Sequence, residues 1–169
     1  SGRGAGIGVR NATMEFHDGT IRDNDNPFDF GGGIAIIDGA GVVTMTDIRN
    51  NLCTGHGAGV YVENTAGLVR FANCDIFLND NINSGTRFPT GGIHHAGSGQ
   101  LVLTDCGFSG NFGENGRRAG IFNEAQLFVT GTIGGVGQSI PDRFVNVGTL
   151  SPGEPGAVGS VLIDGEYTQ

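Results

Sequence analysis

A glycine that opens a short apolar strand, followed 18–20 residues later by an asparagine, recurs four times along the chain. The openings are Gly6-Ile7-Gly8-Val9, Gly33-Ile34-Ala35-Ile36, Gly59-Val60-Tyr61-Val62 and Gly92-Ile93-His94-His95, and a fifth, Gly120-Ile121-Phe122-Asn123, begins a copy that fades. The closings are Ile21-Arg22-Asp23-Asn24, Ile48-Arg49-Asn50-Asn51, Ile76-Phe77-Leu78-Asn79 and Phe108-Ser109-Gly110-Asn111. Successive opening glycines stand 27, 26, 33 and 28 residues apart, and successive closing asparagines 27, 28 and 32. Two independent markers that drift together define a repeat, and a period of this length belongs to solenoids and arrays.

Inside each copy the apolar residues alternate. Ile7 and Val9 are spaced by Gly8, and Met14 and Phe16 by Glu15. A period of two means strands with one buried face. Each copy holds three strand-length pieces joined by tight bends, too little to bury its own apolar side chains. Stacked about 4.8 Å apart, every strand pairs with its counterpart in the next copy. Strands that return to the same place on each turn run parallel. The chain is therefore expected to be all-β, a right-handed parallel β-helix (solenoid) of about six coils, roughly 30 Å long at that spacing. One domain spans 1–169, with coils starting near 6, 33, 59, 92, 120 and 156 and an irregular Gly/Pro-rich insertion over 134–156. The 33 glycines show no three-residue period, which excludes collagen and assigns them to bends.

The second copy offers Ile34, Ile36, Val43, Met45 and Ile48 as inward residues and reads two residues short between Met45 and Ile48. The polar connector from Asp80 to Gly91 is the longest between clear copies. In this scheme Asn24, Asn51, Asn79 and Asn111 form a ladder at one bend. Their amides would bond bend backbone and each other, and Asn tolerates the left-handed conformation a bend needs.

The Gly-Gly-Ile openings at Gly32-Gly33-Ile34 and Gly91-Gly92-Ile93, with the closing Phe108-Ser109-Gly110-Asn111 and Ile in place of Phe at 21, 48 and 76, resemble the repeats of polymorphic outer-membrane proteins and kindred β-helical adhesins. Pectin-lyase-like β-helices share the coil architecture. The resemblance covers about residues 6–130. It implies a secreted or surface-exposed passenger used in adhesion.

Enzymes on this fold use clustered carboxylates, and Asp18, Asp47, Asp75 and Asp105 fall near one bend. Asp18 and Asp105 share one register and Asp75 another, so turn capping is the plainer role and no catalytic residue is assigned. Asp23, Asp25 and Asp29 alternate as in calcium loops, without the glycine and late glutamate of an EF-hand. They are weak Ca²⁺ candidates, and no metal or cofactor is expected. His94 and His95 are adjacent, so a strand would send one inward and leave the other exposed. Cys74 and Cys106 should stack in neighbouring coils within disulfide reach, as a bridge or as two buried thiols. Cys53 is left over, a free thiol or an intermolecular link. Asn11-Ala12-Thr13 is a glycosylation acceptor pattern.

A net charge of −8 argues against nucleic acid and anionic membranes as partners, and no apolar run is long enough to span a bilayer. No helix precedes the first coil, and uncapped β-helix ends invite another chain. The expectation is an extracellular or cell-surface structural protein, not an enzyme, that polymerises head to tail with itself. An adhesin or module binding surface glycans is the alternative, and a polysaccharide lyase or hydrolase the third.

Overall fold

A computed structural model describes residues 4–27, 29–64, 66–82, 90–113, 120–134, 143–146, 148–153, 161–164 and 166–169. Coil 1 contributes β1 (Ile7–Arg10), β2 (Thr13–Arg22) and β3 (Asp25–Asn26). Coil 2 contributes β4 (Ile34–Ile37), β5 (Ala40–Arg49) and β6 (Leu52–Cys53). Coil 3 has β7 (Val60–Asn64), β8 (Leu68–Ala72), β9 (Asp75–Phe77) and β10 (Asp80–Asn81). Coil 4 has β11 (Ile93–Gly97) and β12 (Gln100–Ser109), with a single bridge from Asp80 to Phe112 on its third side. Then follow β13 (Ile121–Asn123), β14 (Gln126–Gly134), β15 (Arg143–Asn146), β16 (Thr149–Pro152), β17 (Val161–Asp164) and β18 (Glu166–Thr168).

Like strands pair with like, and every pairing is parallel. One sheet runs β1-β4-β7-β11-β13-β15-β18. A second runs β2-β5-β8-β12-β14-β16, with β9 completing coil 3 and β17 lying on β14. The small third sheet is β3-β6-β10. The molecule is a parallel β-solenoid. Four coils carry all three sides, where the sequence suggested about six. Beyond Gly120 the chain extends the two large sheets only, among the described residues. The register also slips there by one residue: Thr104 pairs with Thr130, but Cys106 with Ile133. The expected irregular insertion over 134–156 contains two strands, β15 and β16, so the coil after β14 starts at 143 rather than near 156.

The core is a set of axial columns. Ile7, Ile34, Val60, Ile93, Ile121 and Phe144 form one, and Phe16, Val43, Phe71, Leu103 and Val129 another. In coils 2 to 4 these side chains are fully buried. Val43, not Met45, occupies the second column, so coil 2 is not shortened. Met45 is 55% exposed and stands with Asp18, Asn73 and Asp105 in a column of left-handed residues (φ 48–53°) that bends the long strands. Each lies on the outer side of the corner, where a long apolar side chain gains nothing from the core.

Candidate functional site

The asparagine ladder is continuous. Asn24, Asn51 and Asn79 each donate Nδ2–H to the Oδ1 of the next asparagine, at 2.8, 2.9 and 2.9 Å, and each also donates its backbone N–H to that oxygen at 3.1–3.2 Å. The second Nδ2–H returns to the coil before: Asn51 to Ile21 O, Asn79 to Ile48 O, Asn111 to Ile76 O. An internal member such as Asn79 thus accepts twice and donates twice through one amide, all four capacities filled. The amides point the same way along the axis, an arrangement in which neighbouring bonds polarise each other. The left-handed residue at this bend is the one before each ladder member, Asp23, Asn50, Leu78 or Gly110 (φ 52–63°), and not the asparagine itself as expected. That kink turns the amide inward.

The ladder also explains the opening glycines. A Cβ at Gly6, Gly33 or Gly59 would stand 2.8–3.0 Å from the Nδ2 of Asn24, Asn51 or Asn79 respectively. The same Cβ would stand 2.6–3.0 Å from the carbonyl oxygen of the next coil's opening glycine, and at Gly92 the nearest atoms are those of the Gly120 backbone, so glycine clears space for the neighbouring backbone as well as for the amide.

A second internal polar column was not anticipated. Where coils 1 to 3 place Val9, Ile36 and Val62 on an inward column, the later coils place His95, Asn123 and Asn146. All three are fully buried, as is Asn64 at the end of β7. His95 Nδ1 lies 2.7 Å from Asn123 Oδ1, and Nε2 lies 3.3 Å from Asn64 Oδ1. Asn123 Nδ2 donates to Ala125 O and to Asn146 Oδ1, and Asn146 Nδ2 donates to Gly148 O. Burial pulls the His95 imidazole down from 6.5 to about 4, against the raising effect of Asn123. The recurrence of Asn at the ends of β13 and β15 was the available signal. It was hidden because 143–146 read as part of an insertion.

His94 points outward, as alternation requires, yet it is also buried. It sits in a column of rings outside the first sheet. Phe30 stacks on His56 at 5.3 Å and on Tyr61 at 4.7 Å, and His94 lies 4.4 Å from His56, 5.6 Å from Tyr61 and 5.0 Å from Phe122. The expected exposed member of the histidine pair therefore does not exist. His94 Nε2 is 3.8 Å from a Glu124 carboxylate oxygen, and its Nδ1 is buried without a hydrogen-bond partner.

The remaining candidates disperse. Asp18 and Asp105 lie in the left-handed corner column, and Asp47 and Asp75 pair in adjacent coils of the next register. Asp23 faces Arg22 at 3.5 Å, Asp25 is exposed in β3, and Asp29 accepts the Phe30 N–H at 3.0 Å. These three carboxylates do not converge on one point, and among the described residues no group of three His, Cys, Asp or Glu could hold a metal ion. Asn11 is exposed in a left-handed turn (φ 50°). Cys74 and Cys106 stand as buried neighbouring thiols, each with its one S–H between two carbonyl oxygens 3.4–3.5 Å away, Val43 O and Ala72 O for Cys74 and Phe71 O and Thr104 O for Cys106. The adjacent Cys74 sulfur and then burial push the Cys106 thiol up. Cys53 is fully buried and its thiol is raised to about 12 by burial, so the intermolecular link considered for it has no accessible sulfur.

One shallow recess opens on the outer face of the second sheet, about 180 Å³, lined by Asp75, Ile76, Phe77, Gly107, Phe108 and Ser109. Ligand pockets usually run from about 300 Å³ upward. The Arg49 guanidinium carbon lies 5.9 Å from the Phe77 ring centre. No family model, curated protein or solved structure matches the chain.

Proposed function

We propose that the protein is a structural solenoid of the cell exterior whose coils continue from one copy to the next, forming a head-to-tail filament. The observation that supports this is the state of coil 1. Ile7, Val9, Met14 and Phe16 are only half-buried, whereas Ile34, Ile36 and Val43, one coil further in, are fully buried. The outer edge of β1 and β2 also presents ladder groups of the kind that add a strand. A coil laid there would complete three columns at once: the apolar core, the ladder beyond Asn24, and the sheet hydrogen bonds. The occupant proposed is the last coil of a second copy, entering in parallel. The placement outside the cell rests on the likeness of the Gly-Gly-Ile and Phe-Ser-Gly-Asn motifs to surface passengers. Sedimentation and electron microscopy at rising protein concentration test the assembly. Fibres are expected, favoured by salt because each copy carries −8, and abolished by Met14→Lys in a variant whose circular dichroism matches the wild type. A monomer that persists at millimolar concentration and high salt would refute it.

A second reading, glycan binding, is favoured by the recess beside Phe77. A sugar ring could lie on the Phe77 face with its hydroxyls on Asp75 and Ser109. Glycan-array binding that disappears in Phe77→Ala and Asp75→Ala would support it, and binding unaffected by either would dismiss it.

A further inference from the structure

We propose that His95 is a buried proton-binding site which, on acidification, becomes a bridge from coil 3 through coil 4 to coil 5. The reasoning starts from the orientation of the three amides around it. Asn64 Nδ2 donates to Gly67 O at 2.6 Å, so turning this amide over would press Oδ1 against a carbonyl. Asn123 Nδ2 is committed to Ala125 O at 2.9 Å and to Asn146 Oδ1 at 2.6 Å, and Asn146 is fixed in turn by Gly148 O. Backbone carbonyls thereby lock every amide, and an oxygen faces each imidazole nitrogen: Asn123 Oδ1 on Nδ1, Asn64 Oδ1 on Nε2.

A neutral imidazole has one donor and one acceptor nitrogen. The shorter contact, 2.7 Å, takes the proton on Nδ1. Nε2 then turns a lone pair toward the Asn64 oxygen at 3.3 Å, a contact with no proton in it. Only the imidazolium satisfies both neighbours, donating Nδ1–H to Asn123 and Nε2–H to Asn64. The surroundings supply little other charge. From β7 the residues beside His95 are Val62 and Asn64, and from β13 Asn123, none of them titratable. The titratable neighbours are His94, on the other side of the strand, and the Glu124 carboxylate, 3.8 Å from His94 Nε2.

Burial and, less, the neighbouring His94 oppose the charge, while the Asn123 oxygen and Glu124 favour it, so uptake is delayed to well below the range of an exposed histidine, near pH 4, rather than prevented. The site is clamped. The Asn64 carbonyl accepts from Ser98 N and Gly99 N at 2.9 and 2.8 Å, and a Cβ at Gly99 would collide with the Asn64 amide.

Nitrogen-15 NMR of the imidazole in the intact chain tests this. At neutral pH the Nδ1–H tautomer is expected, with Nε2 bare. Between pH 5 and roughly 3.5 the folded protein should gain a second, slowly exchanging Nε2–H. In Asn64→Leu the His95 transition should move to lower pH by about one unit, the worth of one lost charged hydrogen bond. The Nε2–H tautomer at neutral pH would overturn the proposal. So would a His95 ring that stays neutral until the fold is lost, or one whose transition in folded Asn64→Leu is unmoved. Should Asn64→Leu fail to fold, the wild-type tautomer and second N–H alone decide.

Discussion

Replacing Asn79 with alanine removes the middle rung of the ladder, and the consequence can be worked bond by bond. Asn79 Oδ1 is the partner of the Asn51 N–H at 3.1 Å and of one Asn51 Nδ2–H at 2.9 Å. Asn79 Nδ2 supplies Ile48 O and Asn111 Oδ1, both at 2.9 Å. After substitution the Asn51 backbone donor and one of its amide hydrogens face a dry void, since Asn51 and Asn79 are both buried. Asn111 Oδ1 keeps the Asn79 N–H, so the acceptor side suffers less. Two orphaned buried donors at about 1–3 kcal/mol each put the loss near 4 kcal/mol. Asn24→Ala is the internal control. It takes away one side-chain donation, at a half-buried position, and Asn51 Oδ1 retains the Asn24 N–H. Its loss should be about 1 kcal/mol. Urea unfolding with unchanged slope reads both numbers. Equal midpoints for the two variants would show that the amides do not carry the coil joint, and the ladder argument would fall.

The other predictions concern single columns. Gly59→Ala should destabilise by about 1–2 kcal/mol in the wild type and by measurably less when combined with Asn79→Ala, since the Cβ then loses its collision with Nδ2; strict additivity in the cycle contradicts the steric pairing. Met45→Asn should stabilise by about 0.5–1 kcal/mol by easing a left-handed residue that is exposed and makes no core contact, and a lower melting temperature would count against that assignment. His95 sets a pH dependence. Its folded value lies below its unfolded one, so the unfolded chain binds the proton first and stability falls as pH drops from 6.5 to about 4. Below that the contribution levels off, having removed about 3 kcal/mol at most, and His95→Gln should flatten this window. The three thiols should resist a neutral-pH thiol reagent in the native protein and all react once it is unfolded in urea; fast labelling of Cys53 in native conditions would contradict its burial.

The coil architecture was legible because its two markers are tied to one contact. Gly6 packs against Asn24, Gly33 against Asn51 and Gly59 against Asn79, and each also against the next coil's opening glycine, so the two markers keep step from coil to coil. Sequence period reports such contacts directly. It failed where the residue type at a position was ambiguous. Met45 is apolar and two residues from Val43, which matched an inward site, but Met45 is itself the left-handed corner residue, and that turns its side chain out. The later coils were obscured for a different reason. Their inward positions carry His95, Asn123 and Asn146, and a polar residue in a strand reads as outward until its partners are known. Burial of His94 could not be read either, because it depends on Phe30, His56 and Tyr61 arriving from separate coils. The sequence separated Asp18 and Asp105 from Asp75, and the structure adds Asp47 to the register of Asp75.

The parallel stacking of coils in this register is tested most directly by paired cysteines on the exposed face. Thr44 and Ala72 are partners in adjacent coils, whereas Thr44 and Leu68 are offset by four residues along the strand. Thr44→Cys with Ala72→Cys should close a disulfide under mild oxidation in the folded protein, and Thr44→Cys with Leu68→Cys should stay reduced. Ready bridging of the second pair and none of the first would mean that β5 and β8 do not run side by side as described.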